Sequence, residues 1–255
     1  MQYKLLLMLK KERHAFIKRE IDLHNKVLSA DLCAPLKTSE DTIRRDLQEL
    51  EKANLLTKVH GGAISKSIQF SLENQIFYSQ PEKTIIAKKA VELIKEGMTI
   101  LLSGGTTIIQ MIKALPPELN ATFVTMSLPT ALGLLQHPKA EVIFIGNKIL
   151  KNARMAVGAA AVDGIKQINA DLCFLGTNSI DAVHGVTDLE WEIIEVKKAM
   201  IAQSKKVVSL CISEKLNSVQ KLKVCPLSAL DYLITELPGD HPLLSHYRSE
   251  GLTIL

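Results

Sequence analysis

Arg44, Arg45 and Gln48 lie close together in this 255-residue chain, and their side chains carry directional hydrogen-bonding ends. An arginine offers a bidentate fork to guanine and a glutamine pairs with adenine, so a shared face could read base edges in a major groove. Helical spacing supplies that face. Ile43, Leu47 and Leu50 fall at i, i+4 and i+7, while Asp41, Arg44, Arg45, Gln48 and Lys52 cluster opposite them. Ser39 and Thr42, near the start of the same helix, can donate to phosphate beside the backbone N–H groups. A solvated helix face with i, i+4 pairs such as Asp41–Arg45 fits the same residues.

A second set suits anion binding. Ser103-Gly104-Gly105-Thr106-Thr107 follows an apolar strand and opens a helix. Glycines let the backbone approach, hydroxyls donate, and a helix start presents free N–H groups. A plain tight turn between strand and helix accounts for the residues as well. Ser127 after Phe123-Val124-Thr125, then Leu175-Gly176-Thr177-Asn178, Gly185-Val186-Thr187 and Glu195-x-Lys197 give further loops at the same sheet edge. Ligands of parallel sheets bind at that edge, the carboxyl ends of the strands.

Positioning these groups takes two kinds of architecture. At the N-terminus a helical pattern runs Lys11–Leu23, broken at Asn25-Lys26. A short helix Ser29–Ala34 follows, capped by Ser29 and ended by Pro35. The reading helix starts at Thr38-x-x-Asp41, which has capping-box spacing, and runs to Lys52. Two short strands occupy 55–64, with Gly61-Gly62 supplying positions that tolerate positive φ. Residues 67–81, ending in Pro81, read as a linker. From Glu82 the pattern alternates: helices near 82–96, 107–115, 129–135, 157–168 and 190–203 separate strands at 99–102, 122–125, 141–145, 172–175, 206–210 and 232–235, with a last strand at 252–255. Short apolar strands between helices of this length imply a mostly parallel sheet covered on both faces.

Charge divides along the same line. Residues 1–66 hold 13 Lys+Arg against 9 Asp+Glu, and residues 67–255 hold 18 of each. The net charge of +4 therefore sits wholly in the first quarter, as for a small domain with a polyanionic partner or simply a basic solvated surface. Aromatic residues are only 4%, so the core rests on aliphatic side chains. No apolar run approaches the ~20 residues of a membrane span, and the Leu5–Leu9 block lacks a cleavage site, so the expected location is cytoplasmic. Met8 and Leu9 are expected to pack on the N-terminal domain or on a second subunit. Cys33, Cys173, Cys211 and Cys225 are scattered among apolar residues, and no metal site or cofactor is expected. Trp191 is expected to be buried, His184 to be a turn residue, and His137, His241 and His246 to lie at the surface.

The run Thr42-Ile43-Arg44-Arg45-Asp46-Leu47 with Leu50, followed by Val59-His60-Gly61-Gly62-Ala63, resembles the DNA-binding signature of the DeoR family of bacterial regulators. The resemblance extends over nearly the whole chain. It implies an α/β protein with a winged helix-turn-helix over 1–66 and a sensor domain over 82–255 similar to phosphosugar isomerases. By it, Ser39–Lys52 is the recognition helix, and Lys58 and His60 lie on the wing. The partners implied are a double-stranded DNA operator, a sugar phosphate or related anionic metabolite, and a second copy of the chain in a homodimer or homotetramer.

The sensor half departs from the family at four places. Ser103 stands where an Asp is usual, Met126 for Asn, Gly146-Asn147 for Gly-Gly, and Ile212 for the Asp three residues before Lys215. With two carboxylates gone, the expectation is an anion subsite built from Ser103–Thr107, Ser127, Gly176, Asn178 and Lys197, with its sugar end altered. An isomerase-like enzyme needs a carboxylate base, and only Glu192 and Glu195 offer one. A sensor that only assembles the oligomer and answers to a protein partner is the third reading.

Overall fold

The computed structural model describes residues 8–66, 78–248 and 251–255. The chain divides into two compact units, 1–71 and 72–255, so the split falls inside the expected linker, most of which (67–77) lies outside the described residues.

The smaller unit runs α1 (Lys10–His24), β1 (Lys26–Leu28), α2 (Ser29–Leu36), α3 (Glu40–Lys52), β2 (Thr57–Val59) and β3 (Gly62–Ile64). Its antiparallel sheet has the order β1-β3-β2. Ile17 and Ile21 of α1, Leu32 and Leu36 of α2, and Ile43, Leu47 and Leu50 of α3 close one apolar core with Val27, Leu56 and Ala63. Met8 packs against this core, while Leu9 is exposed.

Several local expectations change. Ser29 does not cap α2: β1, too short to see in the sequence, pairs with β3, and Leu28 becomes the extended residue before the helix. Ser29 is instead the first helical residue, its N–H bonded to the Gly61 carbonyl at 2.8 Å. Pro35 does not end α2 but sits inside its last turn. The stop comes after Leu36, which is buried, where Lys37 adopts φ 47°. The cap of α3 is Ser39, not Thr38; its Oγ accepts from Thr42 N–H at 3.3 Å. The two wing glycines serve different ends. Gly61 turns the hairpin at φ +74°, whereas a Cβ on Gly62 would lie 2.0 Å from the Val27 carbonyl oxygen, so Gly62 is required by the approach of β1.

The larger unit runs α4 (Gln80–Val91), β4 (Thr99–Leu102), α5 (Thr106–Lys113), β5 (Thr122–Thr125), α6 (Leu128–Leu134), β6 (Glu141–Phe144), β7 (Lys148–Leu150), β8 (Met155–Val157), α7 (Ala159–Ile165), β9 (Ala170–Gly176), β10 (Ser179–Asp181), β11 (Gly185–Asp188), α8 (Trp191–Ala202), β12 (Ser204–Leu210), β13 (Leu222–Cys225), β14 (Tyr232–Ile234) and β15 (Thr253–Ile254). Seven strands form one parallel sheet in the order β15-β14-β12-β9-β4-β5-β6. Helix α4 starts at Gln80, with Pro81 in its first turn, where a missing N–H costs nothing. The hairpin β7–β8 and the small antiparallel sheet β10-β11-β13 have no counterpart in the sequence reading. Gly185-Val186-Thr187, read as a loop, is strand β11.

Trp191 is 64% exposed, against the expectation of burial. Helix α8 buries Ile194, Val196, Lys197, Ala199 and Met200, which leaves Trp191 outside, with the Lys198 ammonium 5.9 Å from its ring centre. His184 is a turn residue as expected, its Nδ1 2.8 Å from Asp181 Oδ1.

Candidate nucleic-acid interface and ligand site

Helix α3 is held from below. Ile43 and Leu47 are fully buried and Leu50 nearly so. Asp46 is buried too, accepting from Arg13 Nε at 2.8 Å and Nη2 at 3.0 Å, with His14 Nε2 at 3.1 Å. Burial alone would raise the Asp46 pKa, but the hydrogen bonds and charges of Arg13 and His14 outweigh it and hold the carboxyl below its ordinary value. This acid ties α3 to α1. The sequence reading used Asp46 only as part of a motif and missed that role.

Above that anchor, Asp41, Arg44, Arg45, Gln48 and Lys52 are all exposed, as is Ser39, and Thr42 is half-buried. The expected Asp41–Arg45 pair does not form. Arg44 instead reaches back to Glu40 at 3.0 Å and Asp41 at 3.7 Å. Both are exposed ion pairs worth little in water, so they hold Arg44 extended along the face without fixing it. Arg45 and Gln48 make no hydrogen bond among the described residues. On the wing, Lys58 and His60 are exposed, and Glu51 braces β2 by accepting the Lys58 N–H at 2.8 Å. The arrangement presents an Arg/Arg/Gln ridge beside a basic hairpin on a rigid three-helix base.

In the larger unit the predicted loops meet at the carboxyl ends of β5, β4 and β9, which are neighbours in the sheet. Ser103 is fully buried, and its Oγ accepts the Gly176 N–H at 2.8 Å. A Cβ on Gly176 would lie 2.5 Å from the Gly104 carbonyl oxygen, so only glycine lets the two loops touch. Ser127 is buried behind Gly104 and caps α6 by accepting from Thr130 N–H at 3.4 Å. Thr106 and Thr107 are half-buried in the first turn of α5, whose leading amides have no partner within the helix.

Beyond Gly176 lies a network of charge. Lys197 is buried and donates to the Gly176 carbonyl at 3.0 Å and to Asp188 Oδ2 at 2.7 Å. Asp188 also accepts from Leu189 N–H at 2.7 Å and from Asn178 Nδ2 at 3.3 Å. Desolvation pushes its pKa up, yet Lys197 and these donors prevail and keep it ionised below the usual carboxylate range. Lys215 donates to the next carbonyl, Thr177 O, at 3.1 Å. Burial lowers its pKa, and the nearby Lys197 charge adds to the effect. No carboxylate of the described residues lies within ion-pair distance of it.

The structure thus gathers Ser103, Gly104, Ser127, Gly176, Asn178 and Lys197 as the sequence suggested. Asp188 and Lys215 were missed, although Asp188 follows a loop already singled out. The replaced positions have gone elsewhere: Met126 and Ile212 are buried apolar side chains, and Asn147 is exposed beyond β6. Among the described residues no His/Cys/Asp/Glu group could hold a metal ion, Cys173, Cys211 and Cys225 are buried free thiols, and no helix is long and apolar enough to cross a membrane.

A winged helix-turn-helix with an exposed reading face, followed by an α/β sensor with polar groups at its strand ends, defines a DNA-binding transcriptional regulator. Residues 13–69 match the DeoR-like helix-turn-helix domain and residues 79–237 match the DeoR C-terminal sensor domain. The chain belongs to the DeoR family of transcriptional regulators. It is 30% identical to the HTH-type transcriptional regulator GolR of Listeria innocua, across 95% of this chain and 97% of that one. Against the HTH-type transcriptional repressor GlcR of Bacillus subtilis identity is 30%, over 90% and 89%. With the glycerol-3-phosphate regulon repressor of Escherichia coli K12 it is 28%, over 89% and 91%.

Proposed function

We propose that this regulator is a repressor of carbohydrate or nucleoside metabolism genes, whose paired copies bind an operator and are tuned by a phosphorylated small metabolite. The observation that carries the DNA half is the exposed Arg44, Arg45 and Gln48 on a helix whose opposite face is wholly buried. Base contacts would come from these three, and phosphate contacts from Ser39, Thr42, Lys52, Lys58 and His60. The metabolite's anion would lie over Gly104–Thr107 at the start of α5. Lys197 is already paired with Asp188, so Lys215, which donates to Thr177 O, is the lysine left beside this loop to meet an anion, whose charge would offset the effect of burial on its ammonium. Relatives named as repressors, one of them for a glycerol-3-phosphate regulon, support the reading.

A catalytic role is disfavoured by the same geometry. The Asp188 carboxylate is committed to Lys197, Leu189 and Asn178, while Glu192 and Glu195 pair with Lys148 and Lys198 at the surface. None of these three carboxylates is left unengaged for proton abstraction.

A gel shift on the DNA upstream of the protein's own gene tests the first half. Arg44→Ala should cost ~1–3 kcal/mol of affinity and relax specificity at one base pair. A wild-type protein that leaves this DNA unshifted at low salt would overturn the reading. Calorimetry with a panel of sugar phosphates tests the second half, with Lys215→Gln expected to weaken whichever one binds; no binding by any of them would remove the effector proposal.

A further inference from the structure

The two edges of the seven-stranded sheet are built differently. At one end β15 is two residues long, a short edge of the kind that resists pairing with other chains. At the other end β6 is Glu-Val-Ile-Phe, followed by Ile145, an apolar run of the sort found in strands covered on both faces. It is not covered. Ile143 is 39% and Phe144 38% exposed, and successive residues of a strand point to opposite faces, so apolar surface reaches solvent on both sides of the sheet here. Leu132 and Leu135, one helical turn apart at the end of α6, are 52% and 65% exposed. The strand has no proline or lysine to discourage pairing, and its one charge, Glu141, is turned back onto the Thr122 hydroxyl at 2.8 Å.

The backbone fixes what can add there. The N–H groups of Glu141 and Ile145 bond to Ala121 and Thr125 carbonyls beside and within β5. By the alternation of a parallel ladder, the N–H and C=O of Val142 and Phe144 point away from the sheet. Two outward residues flanking one inward residue are what an antiparallel pairing of a strand with itself requires. We infer that β6 pairs with β6 of a second copy of this chain about a two-fold axis at Ile143, joining two sensor sheets into one. Val142 then exchanges backbone hydrogen bonds with the partner's Phe144, and reciprocally. Ile143 meets the partner's Ile143 across the axis in a non-hydrogen-bonded pair, about 4.5 Å between Cα atoms. Glu141 falls opposite the partner's Ile145, so no like charges oppose. Helix α6 packs on β5 and β6, and the exposed Leu132 and Leu135 at its end offer apolar surface for a homodimer core. The contact is self-complementary and closes at two copies, which suits a regulator with paired reading heads. In that respect it rests on the function proposed above.

The mass of the full chain without DNA, by light scattering, tests the interface apart from that function. Wild type should be dimeric or a multiple of dimers at micromolar concentration. Ile143→Lys puts like charges across the axis and should raise the dimer dissociation constant about tenfold or more, with circular dichroism unchanged. Ile143→Cys should form a disulfide-linked dimer on mild oxidation, since that Cα spacing suits a disulfide of about 4.4–6.8 Å. Val183→Cys, at a hairpin tip that is 86% exposed, should not. The inference is overturned if wild type is monomeric, if Ile143→Lys keeps the wild-type mass, if Ile143→Cys fails to cross-link, or if the mass grows without closing. A dimer that ignores operator DNA would sink the proposed function and leave the interface standing. An operator-binding protein whose mass Ile143→Lys leaves unchanged would do the reverse.

Discussion

On α3, Arg44, Arg45 and Gln48 stand in solvent over a buried stripe. Near the carboxyl end of β9 in the larger unit, Lys197 and Asp188 lie buried, bonded to each other and to the backbone around Gly176. Both sets carry charge, one on the proposed DNA-reading face and one beside the proposed anion site, yet they sit on opposite sides of the solvation balance. An exposed arginine can be exchanged with little effect on folding, because water compensates it in either state. A buried ion pair has no such reserve, since removing one member strands the other. The DNA-reading function is therefore separable from the fold, whereas the sensor's polar network is part of what holds the sensor together. Asp46 refines the contrast. It belongs to the reading helix but is buried like Asp188, so the boundary runs between two faces of α3 as well as between domains.

The largest effect expected from this contrast is at Lys197. Lys197→Met should destabilise the larger unit by about 3–5 kcal/mol in chemical denaturation, and adding Asp188→Leu should recover most of that loss. If the single variant unfolds like wild type, the pair is not buried as described. Next comes Asp46→Asn, expected to cost about 1–3 kcal/mol by removing the carboxylate charge and one of the two oxygens that accept from Arg13. Asp46 and Asp188 share a pH signature. Each has a folded pKa below its unfolded value, so the stabilisation is full above about pH 4 and is lost as pH falls through the folded value. Hydrogen exchange in α1 and α3 should show that acid-side loss, blunted in Asp46→Asn. Ser39→Ala, removing the cap of α3, should cost about 1 kcal/mol of helix stability and bring the same peptides into faster exchange. Smallest is Trp191→Ala, expected to stay within about 0.5 kcal/mol because the ring is exposed; a larger loss in thermal unfolding would show that something covers it.

What the sequence made legible follows from the range of the interactions involved. Strands β4 and β5 were placed to the residue, because continuous apolar runs between turn residues leave few alternatives. The buried stripe and exposed ridge of α3 follow from helical periodicity alone. Strand β1 was invisible because three residues carry no pattern; it exists because Gly62 lets Val27 come close. Trp191 was misplaced for a related reason: its position at the start of α8 was clear, but which face that helix buries depends on packing partners distant in sequence. The same holds for the proposed ligand site. Its loops were readable from glycines and hydroxyls, but not the Lys197–Asp188 pair or the reach of Lys215 to Thr177, which no local pattern announces.

The distances along the chain that close the sensor site also set a schedule. The reading head needs nothing beyond the first quarter of the chain, while the Ser103–Gly176 contact spans 73 residues and Lys215 must arrive before Thr177 gains its partner. At synthesis rates of 5–20 residues per second, the head emerges roughly 10–30 seconds before the site that governs it can form. Each newly made molecule thus passes through an interval in which its reading head is complete while the sensor site, and the β6 edge inferred to pair two copies, are still being assembled.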